Sequence, residues 1–416
     1  MKISDIKPEV YELAEKVQAS CSAIFAEIDK VAEINTRKVM AAFQDMRVSE
    51  ACFAGTTGYG YDDLGREVLD KIYAQIFKTE SALVRIGFVN GTHALTAAMF
   101  ALAKPGETIL AATGTPYDTL RSAIGIEGDC FGSLRFYGIG YKEIGLSADG
   151  SPDYEAIKAA AADEKVSGVM IQRSRGYADR KALTVEEIGR ICEAVRAVNP
   201  NANIMVDNCY GEFTDTIEPT EVGADIIAGS LIKNPGGGLA PTGAYVAGRQ
   251  ELVERAAMRL TSPGIGGECG STLGNNRLLF QGLFMAPHTV AQALKTAVFC
   301  AGMMKELGIE TSPAPDEKRS DIIQMVKLGS AERMKRFCLG IQAGAPVDSY
   351  VTPEPWEMPG YNCPVIMAAG AFVQGSSIEL SADGPMREPY IAYMQGGLTY
   401  ESGKLGIMMA VSAMLS

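Results

Sequence analysis

The feature that most constrains this chain is a regular alternation between residues 82 and 247. Apolar segments at 82–89, 108–112, 134–140, 167–172, 203–207, 225–229 and 243–247 read as strands, and most are separated by helix-forming segments at 91–103, 119–126, 153–162 and 185–198. Strands that are apolar along nearly their whole length are buried on both faces. Helices between them supply the cover, so the pattern predicts a mostly parallel seven-stranded sheet in one large α/β domain. At 416 residues the chain exceeds one simple core. Residues 8–34 read as an amphipathic helix with Asp5 near its start and Pro8 in its first turn. Residues 277–307 read as a long helix with a break at Pro287. The pattern then changes to strands at 321–327, 365–372 and 377–381, helices at 331–341 and 403–415, and a Pro/Gly-rich loop at 351–364. Three parts are expected: an N-terminal helix and arm (1–52), a large α/β domain (53–286) and a smaller C-terminal α+β domain with its linking helix (287–416).

Charge and composition exclude some functions. A net charge of −12 disfavours nucleic acid and anionic membranes as partners. The start of the chain has no apolar signal core, and the most apolar stretch, 94–103, is too short to span a bilayer. Nine scattered cysteines without a C-x-x-C pair read as free, mostly buried thiols in a reducing, cytoplasmic setting. With only His93 and His288, no histidine-based metal site is expected.

Ligands of open α/β sheets bind beyond the carboxyl ends of the strands. Asn90-Gly-Thr-His93 opens a helix after the first strand, where Gly91 and Thr92 offer an anion cup of backbone N–H groups. Tyr117 follows the second strand, and Arg173 and Arg175 follow the fourth. Asp207 ends the fifth strand, where an acid at the rim of a core needs a cationic partner. Ser230 ends the sixth, and Lys233 follows before Pro235 and Gly236–Gly238. A lysine at the edge of a core can act as a nucleophile towards carbonyls. One cofactor uses this whole set. Pyridoxal 5'-phosphate needs a lysine, an acid against its ring nitrogen, donors for its phosphate and a ring to stack on.

Val206-Asp-Asn-Cys-Tyr210 and Gly229-Ser-Leu-Ile-Lys233-Asn-Pro-Gly-Gly-Gly238 resemble the fold-type-I pyridoxal-phosphate enzymes of cysteine and methionine metabolism. With Gly58–Arg66, Asn90–His93, Gln172–Tyr177 and Phe372–Tyr390, the chain resembles the methionine γ-lyase-like, or aluminium resistance, branch over nearly its whole length. The resemblance implies that Lys233 carries the cofactor and shuttles protons. Asp207 would pair with the ring nitrogen, Gly91, Thr92 and Ser230 would hold the phosphate, and Tyr117 would stack on the ring. Tyr59 or Tyr61, with Arg66, would reach a neighbouring subunit's phosphate in a homodimer or homotetramer. The implied reaction is β- or γ-elimination from a sulfur amino acid, giving a thiol, ammonia and a 2-oxo acid. An aminotransferase, an aldolase or a cofactor-binding stress protein is the alternative.

Two departures concern binding groups. Ile232 stands where the wider family has a threonine, and Glu379 lies in the region of its carboxylate-binding arginine. Arg387 and Arg175 are the candidate carboxylate readers here. The glycines at 264–270 do not follow a strand as a dinucleotide fingerprint requires. Cys209 reads as a buried inert thiol and His93 as a packing residue.

Overall fold

A computed structural model describes residues 1–128, 130–358 and 363–416. Seven strands form the large sheet: β1 (Ser81–Arg85), β2 (Thr108–Ala111), β3 (Gly140–Glu143), β4 (Val166–Gln172), β5 (Asn203–Asp207), β6 (Ile226–Ser230) and β7 (Ala244–Gly248). Their order is β1-β7-β6-β5-β4-β2-β3. Neighbours from β6 to β3 run parallel, and β7 runs against both β1 and β6. The period of two divides the central strands between two cores. Val169, Ile171, Ile204, Val206 and Ile227 pack with Ile188, Ile191 and Val195 of α6 (Val185–Arg196). Met170, Met205, Ile226 and Ala228 pack with Leu95, Ala98 and Leu102 of α3 (Gly91–Leu102). This is the doubly covered sheet that the apolar runs predict.

A second, antiparallel sheet has the order β10-β11-β12-β9-β8, built from β8 (Thr311–Ser312), β9 (Ile323–Lys327), β10 (Val365–Ala369), β11 (Ser381–Pro385) and β12 (Ile391–Gln395). One face packs Val326, Ala382, Ala392 and Met394 into a core with α9 (Ala331–Ala343) and α10 (Tyr400–Met414). The other presents Ile323, Met325, Ile391 and Tyr393 towards Tyr177 and Tyr210 of the large domain. α1 (Pro8–Asp45) lies along α8 (Asn276–Glu306), with Val17 against Gly302 and an ion pair of 2.6 Å between Asp29 and Lys295. No helix among the described residues is long and apolar enough to cross a membrane.

Four sequence expectations need correction. Residues 134–139 form turns although Leu134 and Ile139 are buried, and β3 starts only at Gly140. An edge strand pairs on one side only, so Tyr141, Lys142 and Glu143 suit it without an apolar run. The helix expected at 8–34 runs on to Asp45. α8 continues through Pro287, whose ring is buried and whose missing N–H removes one helical bond without ending the helix. The strand expected at 377–381 begins instead at Ser381, because the Glu379 carboxylate folds back to accept the N–H groups of Phe372 and Val373 at 2.8 and 2.9 Å. Of the loop expected at 351–364, residues 359–362 lie outside the described residues.

Candidate active site

The turn after β6 fixes Lys233. A Cβ added at Gly236 would lie 1.7 Å from the Leu231 carbonyl oxygen, and one at Gly237, where φ is +56°, would lie 2.2 Å from the Gly282 oxygen on α8. The turn is therefore pressed onto itself and onto α8, which only glycine permits. It delivers the Lys233 Nζ to 3.9 Å from the centre of the Tyr210 ring. Tyr210 has a left-handed backbone (φ 71°), and its hydroxyl oxygen accepts a hydrogen bond from Ser377 Oγ at 3.2 Å.

Asp207 is the last residue of β5 and is buried. It accepts the Cys209 N–H at 3.1 Å. Burial raises its pKa, against the lowering effect of Lys233 and of these hydrogen bonds. Burial alone would pull the Lys233 ammonium down, but its interactions with Cys209, Tyr210 and Asp207, in that order, outweigh it and the net shift is upward. Burial also pushes the Cys209 thiol well up, so this thiol is neutral near pH 7. With the thiol neutral, Asp207 is the carboxylate among the groups that raise the Lys233 pKa.

Asn90 caps α3 by accepting the His93 N–H at 2.9 Å, which leaves Gly91 and Thr92 at the positive end of the helix. A Cβ at position 91 would meet the Ser230 Cβ at 3.2 Å, so the backbone there lies directly against Ser230. Thr92 and Thr119 share a hydrogen bond of 2.8 Å between their hydroxyls. The Tyr117 N–H donates to Gln172 Oε1 at 2.7 Å, and its ring lies against Gly176. His93 packs edge-to-face on Phe88, with ring centres 5.3 Å apart.

Lys233, Asp207, Gly91, Thr92, Ser230 and Tyr117 all line one cavity of ≈ 240 Å³. Ile232 also lies on its wall. Tyr59, Tyr61 and Arg66 are not on that wall. Tyr59 and Tyr61 stack on each other at 5.7 Å and are 75% and 56% exposed. Arg66 is buried and holds its own loop, donating to the carbonyls of Gly60, Gly270 and Glu268. A larger cavity of ≈ 450 Å³ lies beside Arg66 and Arg85 and contains none of the Lys233 group.

Arg175 and Arg387 are off the wall too. Arg175 is buried behind it, with Nη1 donating to the carbonyl and hydroxyl of Ser312 at 3.0 and 3.3 Å, and Nε and Nη2 without partners among the described residues. Arg387 is exposed, and its charge is felt by Asp118 and Tyr393. Wall residues not assigned from sequence include Tyr210, Gln172 and Asp383. Tyr210 and Gln172 stand beside assigned residues at strand ends, a usable signal. Asp383 comes from the second sheet, where no spacing marks it.

The arrangement offers an amine beside a carboxylate, with a helix N-terminus for an anion and an aromatic side wall. The cradle at Gly91 and Ser230 and the buried acid at Asp207 fit pyridoxal phosphate, which carries an anion and a basic ring nitrogen.

The family model described as methionine gamma-lyase matches residues 10–415. A crystal structure of a carbon-sulfur lyase involved in aluminium resistance from Clostridium novyi NT is 52% identical, has a TM-score of 0.95, and aligns over 98% of this chain and 96% of that one. The uncharacterized protein YnbB of Bacillus subtilis is 47% identical over 97% of this chain and 96% of its own length. At 17% identity, with a TM-score of 0.61 over 92% of this chain and 95% of the other, the pyridoxal-5'-phosphate dependent protein YhfS of Escherichia coli shares the fold. The sheet is therefore that of the fold-type-I enzymes, and the chain belongs to the methionine gamma-lyase family of carbon–sulfur lyases.

Proposed function

We propose that the protein binds pyridoxal phosphate at Lys233 and eliminates a thiol from a sulfur-containing amino acid. The net reaction takes one thioether amino acid and one water to a thiol, ammonia and a 2-oxo acid. The observation that carries this reading is the convergence of Lys233, Asp207 and the N-terminus of α3 on one cavity.

When bound, the cofactor supplies an electron sink that stabilises negative charge at the substrate α-carbon. Gly91, Thr92 and Ser230 would hold its phosphate, Asp207 its ring nitrogen, and Tyr117 a face of the ring. The residues of this chain do the rest. Nζ of Lys233 is the group placed to take the α-proton and return it, and the Tyr210 ring holds that amine by a cation–π contact. Ile232 and Ile323 shed water from the wall. Arg387, off the cavity wall but near enough for its charge to act on Tyr393 of that wall, is the reader proposed for the α-carboxylate, with Arg175 bracing the loop that carries Ser174 and Tyr177. The exposed Tyr59–Tyr61 pair suits a contact with a second subunit, so a homo-oligomer is part of the proposal.

Turnover tests the reaction. Cofactor-loaded protein should release thiol, ammonia and 2-oxo acid in equal amounts from a thioether amino acid with no keto-acid acceptor present. Product formation that requires an acceptor would instead mark an aminotransferase.

A further inference from the structure

A short loop, residues 372–377, rests against the Lys233 wall, and one buried side chain sets its shape. Glu379 is 3% exposed. Its Oε2 accepts the Phe372 N–H at 2.8 Å and its Oε1 accepts the Val373 N–H at 2.9 Å. Hydrogen bonds to a carboxylate are stronger than neutral ones, so this hold on the loop is firm. Within the loop the Ser376 N–H donates to the Val373 carbonyl at 3.0 Å, and Gly375 takes the positive φ (+79°) that such a turn needs at its third position. Glu379 is held in turn by the chain that leaves β12. The Gly397 N–H donates to the Ile378 carbonyl at 2.9 Å, and a Cβ at Gly396 would lie 2.2 Å from the Glu379 carbonyl oxygen.

The loop meets the cavity wall at two points. A Cβ at Gly375 would lie 3.8 Å from Ile232 Cδ1. Ser377 Oγ donates to the Tyr210 hydroxyl at 3.2 Å. Ile232 and Tyr210 both line the cavity, Ile232 directly precedes Lys233, and the Tyr210 ring centre is 3.9 Å from Lys233 Nζ. A cation–π contact depends on the ring presenting its face to the cation, so a hold on the hydroxyl end of the ring bears on the amine.

We propose that Glu379 is a positioning residue for Lys233: it holds the 372–377 loop so that Ser377 keeps the Tyr210 ring on the lysine amine. Glu379 itself is off the cavity wall and acts only through this chain of contacts. The inference rests on Lys233 as the reactive amine of the proposed function, not on the elimination that follows.

The test reads that amine directly, on full-length protein before cofactor loading. Reductive alkylation by a small aldehyde, located by peptide mass, gives the pH at which Lys233 becomes neutral. Asp207 and Cys209, the other groups that raise the Lys233 pKa, are unchanged throughout. The amide of Glu379→Gln can accept only one of the two N–H groups, so the loop and the ring slacken. The alkylation pH should then fall by about half a unit or more, the scale of one buried cation–π contact. Ser377→Ala should move it the same way. In a Tyr210→Leu background Glu379→Gln should add no further shift, because its effect runs through that ring. An unchanged pH in Glu379→Gln overturns the proposal. So does an equal shift from Glu379→Gln with and without Tyr210, which would mark a general loosening of the fold. Should Glu379→Gln not fold, Ser377→Ala decides alone, an unchanged pH overturning the proposal and a fall supporting it. Failure here leaves the elimination reading standing. The expected shifts in a protein that releases no thiol once loaded would sink that reading and leave Glu379 as the positioning residue.

Discussion

Nζ of Lys233 lies 3.9 Å from the centre of the Tyr210 ring, and with Cys209 and Tyr210 the Asp207 carboxylate raises its pKa against the effect of burial. The ring gives a cation a favourable place in a buried setting, and the carboxylate offsets the desolvation that burial imposes.

Asp207→Asn should therefore lower the pKa of Lys233, since burial then acts with one opposing anion fewer. On cofactor-free protein, reductive alkylation of Lys233 by a small aldehyde needs the neutral amine. Its rate should rise at a lower pH in Asp207→Asn than in the wild type, with a displacement of about one unit or more. Unchanged pH dependence would remove Asp207 as the counter-charge.

Beneath the site, Glu212 is fully buried, accepts the Tyr245 hydroxyl at 2.9 Å and has a second oxygen without a partner among the described residues. Burial, reinforced by the charge of Glu218, pushes its pKa up to about 8. Between its unfolded value of about 4.3 and pH 8, the folded state holds a proton that the unfolded state has released. Its contribution to stability is then present at low pH and falls as pH rises, by at most about 1.4 kcal/mol per pH unit. Glu212→Gln should flatten this slope, so the difference in Tm between pH 5.5 and pH 8 should shrink. Equal slopes in both proteins would count against a protonated Glu212.

Arg173 is buried under the same strand ends. It donates to Asn208 Oδ1 at 2.7 Å and Thr214 Oγ1 at 3.1 Å, and it lies 3.5 Å from Glu218. Glu218→Ala strands a buried cation and should cost about 3–5 kcal/mol. Urea unfolding measures it. Glu33→Ala, which breaks an exposed helical pair with Arg37, should leave the midpoint unchanged and serves as the control.

Tyr59 and Tyr61 are exposed, and the proposed function sends them to a partner's site. Proteins carrying Lys233→Ala or the double change Tyr59→Ala with Tyr61→Ala should each be inactive alone. Mixed oligomers of the two should regain activity, because one site in each hybrid pair is complete. Lack of recovery in demonstrably mixed oligomers would place both tyrosines outside the site.

The legibility of the molecule follows physical lines. β4, β5 and β6 are buried on both faces, so their apolar runs announce both the sheet and the carboxyl ends where Asp207, Ser230 and Lys233 emerge. β3 was displaced because an edge strand lacks that signal while the turns before it carry buried Leu134 and Ile139. Pro287 looked like a helix break because helix propensity is local, whereas α8 is held by packing on α1 and on the Lys233 turn. Arg66 and Arg175 carry the right chemistry for anions, but a guanidinium serves backbone carbonyls equally well, and only the fold shows that Arg66 binds three of them. Asp383 reaches the cavity through the pleat of a distant antiparallel sheet, a relationship set by strand pairing and not by spacing along the chain.

Reductive trapping of the cofactor is the most direct measurement. Purified protein loaded with pyridoxal phosphate, treated with borohydride and digested, should carry the reduced cofactor on the peptide containing Lys233. Its absorbance should be lost in Lys233→Ala. A reduced cofactor on another lysine, or none on any peptide, would contradict the assignment of Lys233.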